Sequence, residues 1–144
     1  MNRNDVTREL RALSLPQDQY VVVGGGVLAL HELRDTNDID LVVSKSLFVD
    51  LQARGWRAKT RPNGKPGLKY GVTEAYLDVN CEPFERSTTW LLENALILDG
   101  IPTIDLQTVA GFKAAYGRPK DLLDLKLLNE RIDASASVGM HSAQ

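Results

Sequence analysis

The residues best placed to do chemistry are Asp38 and Asp40, in the run Asp38-Ile39-Asp40-Leu41-Val42-Val43. An apolar, β-branched run fits a strand, and side chains alternate along a strand, so both aspartates share one face while Ile39 and Leu41 point into the core. Two carboxylates side by side on an apolar strand repel each other and cost stability unless a cation lies between them. A hard divalent ion such as Mg²⁺ takes oxygen ligands, keeps some of its waters and is readily shared with phosphates. Upstream, the apolar run Tyr20-Val21-Val22-Val23 stops abruptly at Gly24-Gly25-Gly26, where the backbone can approach a ligand closely. Residues 20–44 therefore join a strand, a glycine turn suited to phosphate oxygens and a carboxylate pair suited to metal. The plainer reading of the same aspartates is a strand end whose side chains cap neighbouring turns.

Between glycines and acids the chain reads as a short helix over 27–33 and a turn over 34–37 containing Arg34 and Thr36. Gly24-Gly25, Arg34, Thr36 and Asp38-Ile39-Asp40-Leu41 together resemble the signature of the nucleotidyltransferase superfamily with the DNA polymerase β-like catalytic fold. In that signature a Gly-Gly or Gly-Ser turn is followed, after a short helix, by an acidic-apolar-acidic strand. The Arg-x-Thr-x-Asp-Ile-Asp-Leu wording is similar to small bacterial members related to AbiEii-type toxins. The resemblance implies an α+β domain with a mixed central sheet, helices packed on it and C-terminal helices. It implies transfer of a nucleoside monophosphate from an NTP to an acceptor hydroxyl of RNA, protein or a small molecule. Two Mg²⁺ ions, or Mn²⁺, would be the cofactors, and a toxin–antitoxin type system with a cognate antitoxin would be the setting. Asp38 and Asp40 would be catalytic metal ligands, and Gly24, Gly25, Arg34 and Thr36 would meet the nucleotide.

The superfamily takes a third acid from a neighbouring strand, and Asp78 resembles it. Residues 75–81 alternate, with Leu77, Val79 and Cys81 on one face and Tyr76, Asp78 and Asn80 on the other. A strand there, laid beside residues 38–43, would turn Asp78 toward Asp38 and Asp40 as a third metal ligand. Glu74, Glu82 and Glu85 are rivals at strand ends or in loops. The segment Lys113-Ala114-Ala115-Tyr116-Gly117-Arg118-Pro119-Lys120-Asp121 also resembles the family, which implies that Lys113 neutralises triphosphate charge. On the residues alone, Lys113, Arg118 and Lys120 are helix-end cations favoured by the helix dipole. Asp121 and Asp124 read as structural, capping the final helix or pairing with these cations.

At 144 residues and 43% apolar the chain suits one domain, expected over 1–132, with a small, polar, flexible tail over 133–144. No apolar run is long enough to span a membrane and residues 1–10 are unlike a signal peptide, so a cytoplasmic protein is expected. Cys81 stands alone, which excludes an internal disulfide and a cysteine zinc site and suggests a small buried side chain. His31 and His141 do not make a paired-histidine metal site, and no serine or cysteine nucleophile has a plausible base. The net charge of −2 argues against broad coating of nucleic acid. Residues 51–73 nevertheless hold Arg54, Arg57, Lys59, Arg61, Lys65 and Lys69 with no acid, making Arg61, Lys65 and Lys69 candidates for an acceptor polyanion such as RNA. A solvated hairpin is the alternative.

The elements that must position these groups follow in order. A helix capped by Asn4 or Asp5 runs to about Leu13, and the helix over 47–54 starts at Ser44 or Ser46. Strands are expected over 56–60 and 68–72, around a turn-rich loop over 62–67. A helix spans 85–95, and Asp99-Gly100 joins a hairpin. Asp105 caps a helix ending at Gly117, and Pro119 opens a final helix striped by Leu122, Leu125, Leu128 and Ile132. The same organisation would serve a non-catalytic nucleotide-binding or antitoxin-like partner module. Dinucleotide binding is disfavoured, because the glycines run consecutively instead of as G-x-G-x-x-G.

Overall fold

Polar caps set the helix starts. Asn2 accepts a hydrogen bond from the backbone of Asp5 and opens α1 (Arg3–Leu13), two residues before the expected Asn4. Ser44, Ser87 and Asp105 do the same for α3 (Lys45–Ala53), α4 (Thr88–Glu93) and α5 (Leu106–Tyr116). Gly117 closes α5 in the left-handed conformation that glycine tolerates, and α6 (Pro119–Ser142) follows at once. The computed structural model describes the backbone of residues 1–142 and the side chains of residues 1–136. The backbone from Asp133 to Ser142, expected as a tail, continues α6 as helix, and residues 143–144 lie outside the described residues.

Strands β1 (Tyr20–Val23), β2 (Ile39–Val43), β3 (Arg57–Thr60), β4 (Pro66–Tyr70), β5 (Thr73–Tyr76), β6 (Leu96–Leu98) and β7 (Ile101–Thr103) form one mixed sheet in the order β3-β4-β5-β2-β1-β7-β6. With α2 (Gly25–Leu30), the described residues hold seven strands and six helices in an α+β arrangement. Every residue of β1 is buried, as are Ile39, Leu41, Val42 and Val43 of β2, so the central pair of antiparallel strands is the floor of the core. β5 lies parallel to β2, with Asp40 opposite Glu74 and Leu41 opposite Ala75.

The strand expected over 75–81 is displaced. β4 turns tightly through Gly71, which has φ 59, so β5 begins at Thr73 and ends at Tyr76. Beyond it, Asp78 Oδ1 accepts from the backbone of Asn80 at 3.1 Å and Asn80 Oδ1 accepts from that of Arg86 at 2.7 Å. The alternation is real, but the short polar side chains satisfy loop backbone instead of continuing a ladder. Cys81, expected to be buried, sits in this loop half-exposed.

Candidate metal centre

Because β2 and β5 run parallel with Asp40 opposite Glu74, these two carboxylates fall on one face, and Asp38, just before β2, joins them. Carboxylate oxygens of Asp38, Asp40 and Glu74 lie within 4.8 Å of one another. Ligands roughly 2.0–2.6 Å from a common hard cation span such a gap. Asp40 Oδ1 is buried and has no hydrogen-bond partner among the described residues. A buried acceptor left this way costs about 1–3 kcal/mol, more when charged, unless something outside the chain satisfies it. Burial first, then the charges of Asp38 and Glu74, push the Asp40 carboxyl up to about 7. Burial also opposes ionisation of Glu74, but hydrogen bonds from Lys59, at 2.8 Å, and from the Tyr76 hydroxyl outweigh it and hold that carboxyl below its usual range. Burial and the Glu74 contact push the Tyr76 phenol far up, so it stays a donor. Three carboxylates, one of them with an unsatisfied buried oxygen, fit a hard divalent ion.

The third acid of the cluster is thus Glu74 and not Asp78. Asp78 is spent on the loop and on Lys65, whose ammonium lies 3.0 Å from it. Both acids have the same strand parity, so alternation alone could not choose between them. The starting point of β5, set by the Gly71 turn, decides.

The glycine turn divides its work. Gly24 has φ 61, and a Cβ built on it would stand 3.6 Å from Asp40 Oδ2, so this backbone borders the cluster. A Cβ on Gly25 would lie 2.8 Å from Thr36 Oγ1 and 3.2 Å from the Arg34 guanidinium, so Gly25 makes room for the turn over 34–37. Thr36 is buried, and its hydroxyl donates to the Asp38 carbonyl at 2.9 Å, fixing the approach to β2. Arg34 donates through Nε and Nη2 to both oxygens of Asp124, at 2.6 and 2.8 Å. Lys113 pairs with Asp124 at 3.0 Å and Asp121 at 3.2 Å, and Arg118 with Asp121 at 2.6 Å. Burial opposes ionisation of Asp121 and Asp124, yet these cations hold both carboxyls below the usual range. Arg34 and Lys113, expected at the nucleotide, are therefore engaged in a charge chain that ties the turn before β2 to α5 and α6. Asp121 and Asp124 pair with cations as expected.

The basic stretch is not a free polycationic patch, because the acids it lacks in sequence face it from β5 and the following loop. Lys65 pairs with Asp78, and Lys69 lies 3.9 Å from Glu74. Arg61 stacks 4.7 Å over the Tyr76 ring, donates to the Asp78 carbonyl at 2.7 Å and reaches the Tyr116 hydroxyl at 3.4 Å. The Arg118 guanidinium lies 5.0 Å over the Tyr116 ring, and its hydrogen bond to Asp121 raises its pKa. Lys59 and Tyr76 thus border the cluster, although only the acid pair and the glycines mark the site in the sequence.

Compared with models of protein families, with curated proteins and with solved structures, the chain gives no match. Among the described residues no helix is long and apolar enough to cross a membrane.

Proposed function

We propose that the chain is a metal-dependent nucleotidyltransferase of the polymerase β-like fold, moving a nucleoside monophosphate from an NTP to an acceptor hydroxyl. The observation that carries this is the buried, unpartnered Oδ1 of Asp40 held beside the carboxylates of Asp38 and Glu74. Asp38, Asp40 and Glu74 would hold Mg²⁺ or Mn²⁺, which when bound supplies charge stabilisation to the attacking and leaving oxygens of phosphoryl transfer. The Gly24 backbone, without a Cβ beside Asp40, leaves room for phosphate oxygens at the same edge. Tyr76 holds Glu74 in place through its hydroxyl. The seven-strand mixed sheet, the acid-apolar-acid run that leads into β2 and the glycine turn ahead of α2 support the fold assignment.

The purified protein is incubated with each labelled NTP, Mg²⁺ and a cell extract, and both pyrophosphate and the labelled fraction are measured. Transfer is expected in the wild type, lost in Asp38→Asn and Glu74→Gln, and retained in Asp78→Asn. Transfer that survives Glu74→Gln but not Asp78→Asn overturns the site. Metal and NTP binding without pyrophosphate release would instead identify a non-catalytic binding module.

A further inference from the structure

β3, β4 and β5 lie side by side, with Lys59 opposite Gly67 and Gly67 opposite Tyr76. Lys59 must therefore cross the whole of β4 to touch β5, and its ammonium does so, reaching Glu74 at 2.8 Å and the Tyr76 hydroxyl at 3.3 Å. The crossing exists because residue 67 is glycine: a Cβ there would lie 2.7 Å from the Tyr76 ring and 3.3 Å from Lys59 Cγ. A lysine on an exposed strand keeps its rotamer freedom in solvent, and ordering it costs up to about 2 kcal/mol. Here the stem runs over a glycine notch, with the ammonium 5.6 Å from the centre of the Tyr76 ring, and the charge is delivered to one acid of the cluster. Lys69 sits directly opposite Glu74 on β4, yet it stays 3.9 Å away and more exposed. Among the described residues no lysine or arginine pairs with Asp38 or Asp40.

We infer that Lys59 is a tethered cation that competes with a divalent metal ion for Glu74, so that metal occupancy of the centre is set against an internal ammonium. This rests on the acid cluster being a metal site. In the metal-free chain the ammonium neutralises Glu74 and leaves Asp38 and Asp40 bare. An ion entering between all three carboxylates takes Glu74 from the lysine, and the released ammonium remains at the rim on its strand. A lysine that merely braced β3 to β5 would affect stability and leave metal affinity alone.

The test is a calorimetric titration of the full chain with Mn²⁺ alone. Lys59→Met is expected to bind about tenfold more tightly than wild type, because one charge contact of the free state no longer has to be broken. Lys59→Arg, which keeps the charge, should stay near wild type. Lys69→Met separates specific competition from the general field, and should change affinity by less than about threefold, since its charge is more exposed and screened. Equal affinity in wild type and Lys59→Met, or an equal gain in Lys69→Met, overturns the competition while leaving the metal site standing. No Mn²⁺ binding by either wild type or Lys59→Met overturns both. If Lys59→Met does not fold, the side-chain ammonium resonance of Lys59 in wild type should shift on saturation with Mg²⁺, and an unmoved resonance overturns the proposal.

Discussion

Two groups of carboxylates in this protein, one buried on α6 and one running from the exposed Asp38 to the buried Oδ1 of Asp40, are treated in opposite ways. On α6, Asp121 and Asp124 are buried, and every charge is answered: Arg34 grips Asp124 with two bonds, Lys113 bridges both acids and Arg118 closes the chain. On β2 and β5, Asp38 and Asp40 lack such partners, one oxygen of Asp40 is orphaned, and only Glu74 has a cation. The fold can compensate buried carboxylates completely, so incomplete compensation at the sheet is a local property of that site. The second group leaves a buried carboxylate oxygen unpaired.

Breaking the complete group should have the largest effect. Asp124→Ala strips Arg34 and Lys113 of their common partner and is expected to lower unfolding free energy by about 3–5 kcal/mol in urea denaturation. A loss below about 1 kcal/mol would mean that water replaces the acid freely and that the contrast is superficial.

The incomplete group should respond to pH with the opposite sign from a paired acid. The folded-state pKa of Asp40, about 7, stands above its unfolded value, so its stabilising contribution is full in acid and is lost as pH rises from about 4 through 7. The loss is on the order of 4 kcal/mol for the metal-free protein. Glu74, held below its usual range, acts the other way, but only where pH falls through the carboxylate range. Burial lowers the pKa of His31, which adds stability toward neutral pH and opposes the trend. Comparing melting temperatures of wild type and Asp40→Asn from pH 5 to 8 removes that contribution. The advantage of the Asn variant should grow with pH and vanish in excess Mg²⁺, whereas a constant difference would break the comparison.

The smallest effect is expected at Lys65→Gln. Its pair with Asp78 is partly exposed, at 46% and 25% for the two side chains, so stability should change by less than about 1 kcal/mol. Denaturation midpoints check this, and a larger loss would place Asp78 among the fully compensated acids.

The sequence exposes the half of the site that is local. Period-two alternation at 38–43 and consecutive glycines after a buried strand depend on neighbours in the chain, and both are where they were expected, as are the strand–helix–strand order and the α+β class. What escapes is what depends on distant pairing. Whether Glu74 or Asp78 meets Asp40 is fixed by the register of β5 against β2, which the Gly71 turn sets and which residues 75–81, read alone, misplace. The pairing of Arg34 escapes for the same reason: its partner Asp124 is 90 residues away, and nothing near Arg34 in the sequence announces it. Lys59 is hidden by a different geometry, a side chain that crosses one strand to act on the next through a glycine.

Whether Asp38, Asp40 and Glu74 together hold a divalent ion is decided by titrating wild type and Asp40→Asn with Mg²⁺ or Mn²⁺ while following thermal melting at pH 8. Wild type is expected to bind saturably and melt higher with metal, while Asp40→Asn melts higher than wild type without metal and gains nothing from it. If Asp40→Asn melts well below metal-free wild type, or responds to metal as wild type does, the acids are structural and no ion belongs between them.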